Sequence, residues 1–292
     1  MKNIIANALI SNTATIGVHW IYDYKFLEKL SNKQSLLFMD PKKSIYDQAN
    51  SAYFVYPNYK VGMYTAVGQI VELLYKRLKS NKSYGVSEYK HDLINFYKPG
   101  GNYIGYVESY GKKMIYNILN SDLGLDKKNL VHIDDHQLIG FAPYISCKAL
   151  NIDSDKALDF CKFFSSSDDY KSYYKMFDIL LSLNRKIKKQ DIKKALKYAP
   201  SKDKTNIIKS IEMNNTNDFI SMHSGRGCDI SQAIPLIIHI VTKCESLEKA
   251  IELNALVGGD SADRALIIGM LFAWSNVPLK WEKHLFREEK RK

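Results

Sequence analysis

The sequence predicts an all-α protein, and three observations carry that prediction. Apolar residues recur at three- and four-residue steps, or nearly all round, through ten segments; the breaks between them are short; and no long linker or internal repeat intervenes. In order the segments are 65–79, 104–119, 137–150, 154–164, 170–183, 190–198, 205–213, 230–243, 246–256 and 262–274. Turn-forming residues punctuate them at Lys98 to Asn102, at Ala199 to Lys202, and at Ser224 to Gly227. Within 184–198, Ile187, Ile192, Ala195 and Leu196 share a face, so the lysines between them read as the solvated side of an amphipathic helix. Residues 233–241 are apolar nearly all round, the pattern of a buried central helix. Pro235 is tolerated only in a first turn, so a helix start is expected just before it.

Composition bounds the class. At 292 residues and 46% hydrophobic, the chain has ample material for a core, and one domain spanning 1–292 is the economical reading. Cys147, Cys161, Cys228 and Cys244 are scattered without a CxxC pair, which supports neither a zinc site nor a disulfide framework and points to a reducing cytoplasm. Asn3, Asn7, Ser11 and Asn12 break the apolar N-terminal residues, so no signal peptide is expected. No uncharged apolar run approaches the ~18 residues of a membrane span. A net charge of +11 invites an acidic partner. Its lysines are spread over solvated helix faces, however, and the Tyr-Lys interleaving at 170–175 sits in no nucleic-acid-binding motif, so nucleic acid is not expected.

Chemistry is placed most readily at Gly258, Gly259, Asp260, Ser261, Ala262, Asp263 and Arg264. The glycines release the backbone from one helix, and the carboxylates fall at the N-terminus of the next. Two readings fit: Asp260 and Asp263 cap that helix, or they serve a functional site, where such a cluster can hold a hard cation. Asp134, Asp135 and His136 precede another apolar segment and admit a similar pair of readings. A carboxylate there caps a helix, or acts as base toward water or as stabiliser of an oxocarbenium-like centre. His19, Trp20 and Tyr22 form a polar-aromatic cluster at what reads as a helix start. They pack in the core, or line a pocket where a heteroaromatic ring stacks. Gly225, Arg226 and Gly227 lie just before a helix near Asp229, so their amides and the guanidinium cradle a pyrophosphate or form a plain flexible turn. Arg264 is a second phosphate candidate, or an ion-pair partner of Asp260 or Asp263.

Five segments occur in a fixed order: 8–23 with Gly17, His19, Trp20, Ile21, Tyr22 and Asp23; 64–69 from Tyr64 to Gln69; 134–143 from Asp134 to Pro143; 225–235 from Gly225 to Pro235; and 258–263. This order resembles the ADP-ribosylglycohydrolase family, the group that includes the dinitrogenase-reductase-activating glycohydrolase. The likeness runs over nearly the whole chain and is closest to a divergent bacterial branch. It implies a compact, nearly all-α domain with a central cleft. It also implies hydrolysis of a ribosyl glycosidic bond in an ADP-ribose-like small molecule or an ADP-ribosylated protein, with no membrane involved. Catalytic candidates on this resemblance are Asp134, Asp135, Asp260 and Asp263; ligand-binding candidates are His19, Trp20, Tyr22, Gln69, Gly225, Arg226, Gly227 and Arg264.

The family's hydrolases typically bind two magnesium or manganese ions through Thr-Asp-Asp-Thr and Gly-Gly-Asp-x-Asp-Thr segments. Here the first reads Thr65, Ala66, Val67, Gly68, and the second reads Gly258, Gly259, Asp260, Ser261, Ala262, Asp263. Three carboxylates are missing, and hard divalent cations need several anionic oxygens, so a dimetal pair is not expected. A single Mg2+ or Mn2+ on Thr65, Asp260 and Asp263 is the reduced form. Asn12 stands where many members carry an aspartate. The alternative function is a catalytically inactive relative that keeps the cleft and binds an ADP-ribose-like ligand or a modified protein.

Overall fold

A computed structural model describes residues 3–122 and 137–284, and its regular structure is helical. The first half holds α1 (Ile4–Thr15), α2 (Tyr24–Ser31), α3 (Lys43–Tyr46), α4 (Ala66–Ser80), α5 (Val86–Tyr97) and α6 (Ser109–Asp122). After residue 137 come α7 (Phe141–Ala149), α8 (Ser154–Cys161), α9 (Asp169–Ser182), α10 (Lys189–Ala195), α11 (Lys204–Glu212), α12 (Thr216–Phe219), α13 (Ile230–Lys243), α14 (Leu247–Val257) and α15 (Ser261–Leu271). Among the described residues, β pairing is confined to isolated bridges. No described helix is long and apolar enough to cross a membrane.

Each of the ten segments expected from apolar spacing is helical to within a few residues. The amphipathic reading of 184–198 holds: Ile187, Ile192 and Ala195 are buried, and Lys188, Lys189, Lys193, Lys194 and Lys197 face solvent. Two boundaries differ. Segment 104–119 becomes helical only at Ser109, because Gly101, Asn102 and Tyr103 first turn back to hydrogen-bond the end of α5. The start expected just before Pro235 lies instead at Ile230, since the Asp229 carboxylate accepts the Ser231 amide at 2.7 Å and caps the helix there. Pro235 therefore sits inside α13.

The spacing argument also passed over α1, α2, α3, α5 and α12. Helix α1 is the most consequential, because it is buried on nearly every side and lies along α15 at the centre of the molecule. Asn7, Ser11 and Asn12, which interrupt its apolar pattern, are fully buried. Asn7 donates to the carbonyls of Phe272 (2.8 Å) and Ser275 (3.1 Å), satisfying groups that the end of α15 leaves over. The two helices approach closely at Gly269, where a Cβ would stand 2.3 Å from the Asn7 carbonyl oxygen. Around this pair, α4 packs on α7, α7 on α8, and α11 on α13.

Backbone hydrogen bonds then draw distant segments to one end of α15. The Trp20 amide donates to Gly259 O at 2.8 Å, the Gly259 amide to Ile21 O at 2.7 Å, and the Asp260 amide to Arg226 O at 3.0 Å. The crossing demands left-handed backbone at Gly258 (φ 73°) and Gly259 (φ 67°), and a Cβ on Gly259 would lie 2.2 Å from the Arg226 carbonyl. Gly259→Ala should accordingly cost about 2 kcal/mol or more of stability, read from urea unfolding midpoints at unchanged slope. A loss within a few tenths of a kcal/mol would show that the crossing is not rigid.

Candidate functional site

The N-terminus of α15 meets the N-terminus of α4 through a short chain of buried hydrogen bonds. Thr65 occupies the N-cap of α4, where its hydroxyl accepts the Gly68 amide at 3.2 Å. The same hydroxyl donates to Asp263 Oδ1 at 2.5 Å. Asn12 on α1 braces both: its amide nitrogen donates to Thr65 Oγ1 (2.9 Å) and to Ala262 O (2.9 Å), while its Oδ1 accepts the Thr65 amide (3.0 Å). A Cβ at position 68 would stand 2.6 Å from Asn12 Oδ1, so Gly68 makes room for this brace.

Asp260 holds the N-cap position of α15, yet its side chain makes no capping hydrogen bond. The carboxylate turns inward: Oδ1 lies 3.5 Å from His19 Nδ1 and has no hydrogen-bond partner among the described residues, while the Trp20 side chain and the Asp263 backbone lower the carboxyl from the level that burial sets. His19 follows the end of a single 3-10 turn rather than starting a helix, and Tyr46 fixes its carbonyl through a 2.7 Å bond. Its Nδ1 accepts the Ala262 amide at 3.2 Å, which assigns the proton to Nε2, a buried atom without a hydrogen-bond partner among the described residues. Burial, with Arg264 adding to it, depresses His19 to about 3, so the ring is neutral.

Three carboxyl groups interact at this point. Burial raises Asp260 to about 6, with Arg264 foremost in restraining the rise. Asp263 is held well above the ordinary carboxylate range by burial, then by Asp260 and Glu108. Glu108, at the entry to α6, was not singled out in the sequence. It is buried with Oε1 unpartnered among the described residues, and burial followed by the charge of Asp260 lifts it to about 8. The half-buried Cys228 thiol also senses Asp260 and Glu108, and burial keeps it protonated.

The expected ligand residues divide. His19 and Trp20 join the acids: the Trp20 indole stacks on the imidazole (5.3 Å between centroids) and meets Tyr53 and Tyr106 edge-on. Trp20 is half-buried and takes left-handed backbone (φ 64°), an uncommon conformation for a bulky residue. Tyr22 is half-buried beside Tyr53 and senses the Asp260 charge. Gln69 is committed elsewhere, donating to Tyr59 Oη and Tyr64 O, each at 2.9 Å.

Arg264 is fully buried but forms no ion pair with either aspartate. It donates to Asn254 Oδ1 and Gly258 O, each at 2.7 Å, because the turn at Gly258 presents that carbonyl to the guanidinium. The loop at 225–227, read as a pyrophosphate cradle or a plain turn, spends part of its hydrogen-bonding capacity internally. Gly225 donates to Ile220 O and Gly227 to Gln232 Oε1; Arg226 donates to Val257 O and lies over the Tyr24 ring; and Asp229 already caps α13 with a negative charge. Asp134 and Asp135 fall outside the described residues. The central cleft expected from the family likeness does not open onto the acids, as Asp260 and Asp263 are 1% and 2% exposed. A more open cleft of about 450 Å3 runs between Leu36, Leu37 and α14, but the Lys249 and Glu252 that line it pair with each other.

The donors present do not fit a dimetal pair. Ala66, Val67 and Ala262 are apolar, and the Thr65 hydroxyl is already spent within the brace. They do fit one ion: atoms of His19, Asp260 and Asp263 all lie within 4.8 Å of one another, and the free Asp260 Oδ1 is among the surrounding groups.

No family model matches the chain. Over 103 residues it is 30% identical to Crystallin J1A of Tripedalia cystophora, a match covering 35% of this chain. The chain thus spans only 29% of that relative's length, and the likeness concerns a segment.

The raised pKa of Glu108 has a thermodynamic consequence. The folded protein keeps a proton there that the unfolded chain releases near 4.5, so this contribution to stability is full below about 4.5 and is lost as pH rises through about 8. Chelator-treated protein should lose urea resistance across that window, and Glu108→Gln, which cannot ionise, should lose less. Parallel pH profiles for the two proteins would show that Glu108 is not buried as a neutral acid.

Proposed function

We propose that this protein is a hydrolase of the ADP-ribosylglycohydrolase type, acting on a ribosyl glycosidic bond of an ADP-ribose-like compound or an ADP-ribosylated protein. The observation that carries the reading is the buried convergence of Glu108, Asp260 and Asp263 beneath the half-exposed rings of Trp20 and Tyr106. Cleaving a bond at ribose C1 builds positive charge on the sugar and requires a proton to be moved at the leaving group and at water. Asp260 is the carboxyl least raised, and supplies the negative charge. Glu108, holding its proton near neutral pH, can donate it and later take one back. Trp20, Tyr22, Tyr53 and Tyr106 offer faces and edges on which a heteroaromatic base can rest.

One observation favours the second reading, a relative that binds without turnover. Apolar side chains stand at three carboxylate positions of the family motifs, and the remaining acids are nearly sealed from solvent. The two readings part on one pair of measurements. ADP-ribose should raise the melting temperature, since a ligand of the folded state stabilises by mass action. Release of ADP-ribose from an ADP-ribosylated peptide should then fall roughly 100-fold or more in Glu108→Gln with the thermal shift retained, and in the wild type should decline above about pH 8 as Glu108 loses its proton. A shift with no release in the wild type selects the non-hydrolytic reading. No shift with ADP-ribose and no release overturns both.

A further inference from the structure

The hydrogen bond that His19 makes fixes where its proton sits. The Ala262 amide is one of the donors that the first turn of α15 leaves over, and His19 Nδ1 accepts it at 3.2 Å. An amide N–H is met only by a lone pair, so the neutral ring carries its hydrogen on Nε2. The ring has little freedom to turn: Trp20 and Tyr56 lie against it at 5.3 and 5.8 Å between centroids, and Tyr46 holds its backbone carbonyl. The result is a fixed donor, fully buried, with no hydrogen-bond partner among the described residues. Asp260 Oδ1, 3.5 Å from Nδ1 of the same ring, is a buried acceptor in the same state. Leaving both unmet costs free energy, and the two are of opposite kind. A vicinal diol answers that pair, because one hydroxyl accepts while its neighbour donates.

We infer that His19 is a substrate-binding residue: its Nε2–H donates to one hydroxyl of the ribosyl group, and Asp260 Oδ1 accepts from the neighbouring hydroxyl. This role rests on the reading of the cluster as a site for a ribosyl compound, and adds the residue that tells a ribose with both hydroxyls free from one lacking either. Discrimination follows from burial, since a sugar without the matching hydroxyl leaves a buried donor or acceptor unpaired. The two nitrogens of His19 thus have separable tasks, Nδ1 serving the fold through Ala262 and Nε2 serving the ligand.

The full chain and two variants test this division. His19→Asn keeps an acceptor oxygen near the Nδ1 position but has nothing at Nε2, whereas His19→Gln carries an amide N–H to the Nε2 position but gives up the bond to Ala262. His19→Gln should therefore melt below His19→Asn and yet bind ADP-ribose more tightly. In calorimetric titration His19→Asn should lose about tenfold in affinity, and His19→Gln less than about threefold. Of the two ADP-ribose analogues that lack one hydroxyl of the terminal ribose, one should bind wild type and His19→Asn alike, because its missing hydroxyl is the partner of Nε2. Nitrogen NMR of the wild type needs neither variant to fold: the free protein should show hydrogen on Nε2 and none on Nδ1, and ADP-ribose should shift the Nε2 resonance. Hydrogen on Nδ1, an Nε2 resonance unmoved by bound ADP-ribose, affinities that follow melting temperature, or an equal loss in His19→Asn with both analogues overturns the role of His19. Each of those results leaves the hydrolase reading standing as long as ADP-ribose binds. No binding of ADP-ribose to the wild type overturns both.

Discussion

The Asn12 amide is the constraint on which the rest of the site depends. It sits fully buried where α1, α4 and α15 meet, and both its protons and its oxygen are spent on fixed partners. An aspartate in its place would set a carboxylate oxygen against the Ala262 carbonyl and bury a negative charge there. The neutral amide, the glycine at position 68 that leaves it room, and the threonine hydroxyl that passes its hydrogen bond on to Asp263 therefore form one matched set.

Burial governs the electrostatics around that joint. Three carboxyl groups share a region from which water is almost excluded, and the nearest full positive charge belongs to Arg264, itself held by neutral acceptors at Asn254 and Gly258. In such surroundings ionising a second acid costs more than keeping its proton, which is why Asp263 and Glu108 rise further than Asp260. His19 is pushed the opposite way and stays neutral, its Nδ1 lone pair accepting the Ala262 amide beside the acids. Neutral acid, charged acid and neutral imidazole thus come from residues of ordinary type whose properties are set by position.

Legibility in the sequence followed the range of the interactions. Helices α4, α7, α9, α13 and α15 show as apolar periodicity because each has a face or a whole surface against the core. Helix α1 does not show, although it is among the most buried, because Asn7, Ser11 and Asn12 look like solvated positions until α15 supplies their partners. Asp260 and Asp263 were conspicuous beside a glycine pair. Glu108 was not, since a lone glutamate before a serine carries no local pattern, and only its burial beside Asp260 gives it meaning. The loop at 225–227 shows the converse: its glycines and arginine admitted an anion cradle or a plain turn, and the folded chain uses the Gly225 and Gly227 amides and Arg226 Nε internally.

The sequence by itself determined the helical class, most helix positions and the turn at Gly258 and Gly259, because these rest on side-chain spacing and on the backbone freedom of single residues. Tertiary structure alone decided that His19, Thr65, Glu108, Asp260 and Asp263 gather in one place, that Asn12 is a brace and not a ligand, and which acids keep their protons. Those outcomes depend on contacts between residues up to about 250 positions apart and on exclusion of water. No local pattern encodes either of them.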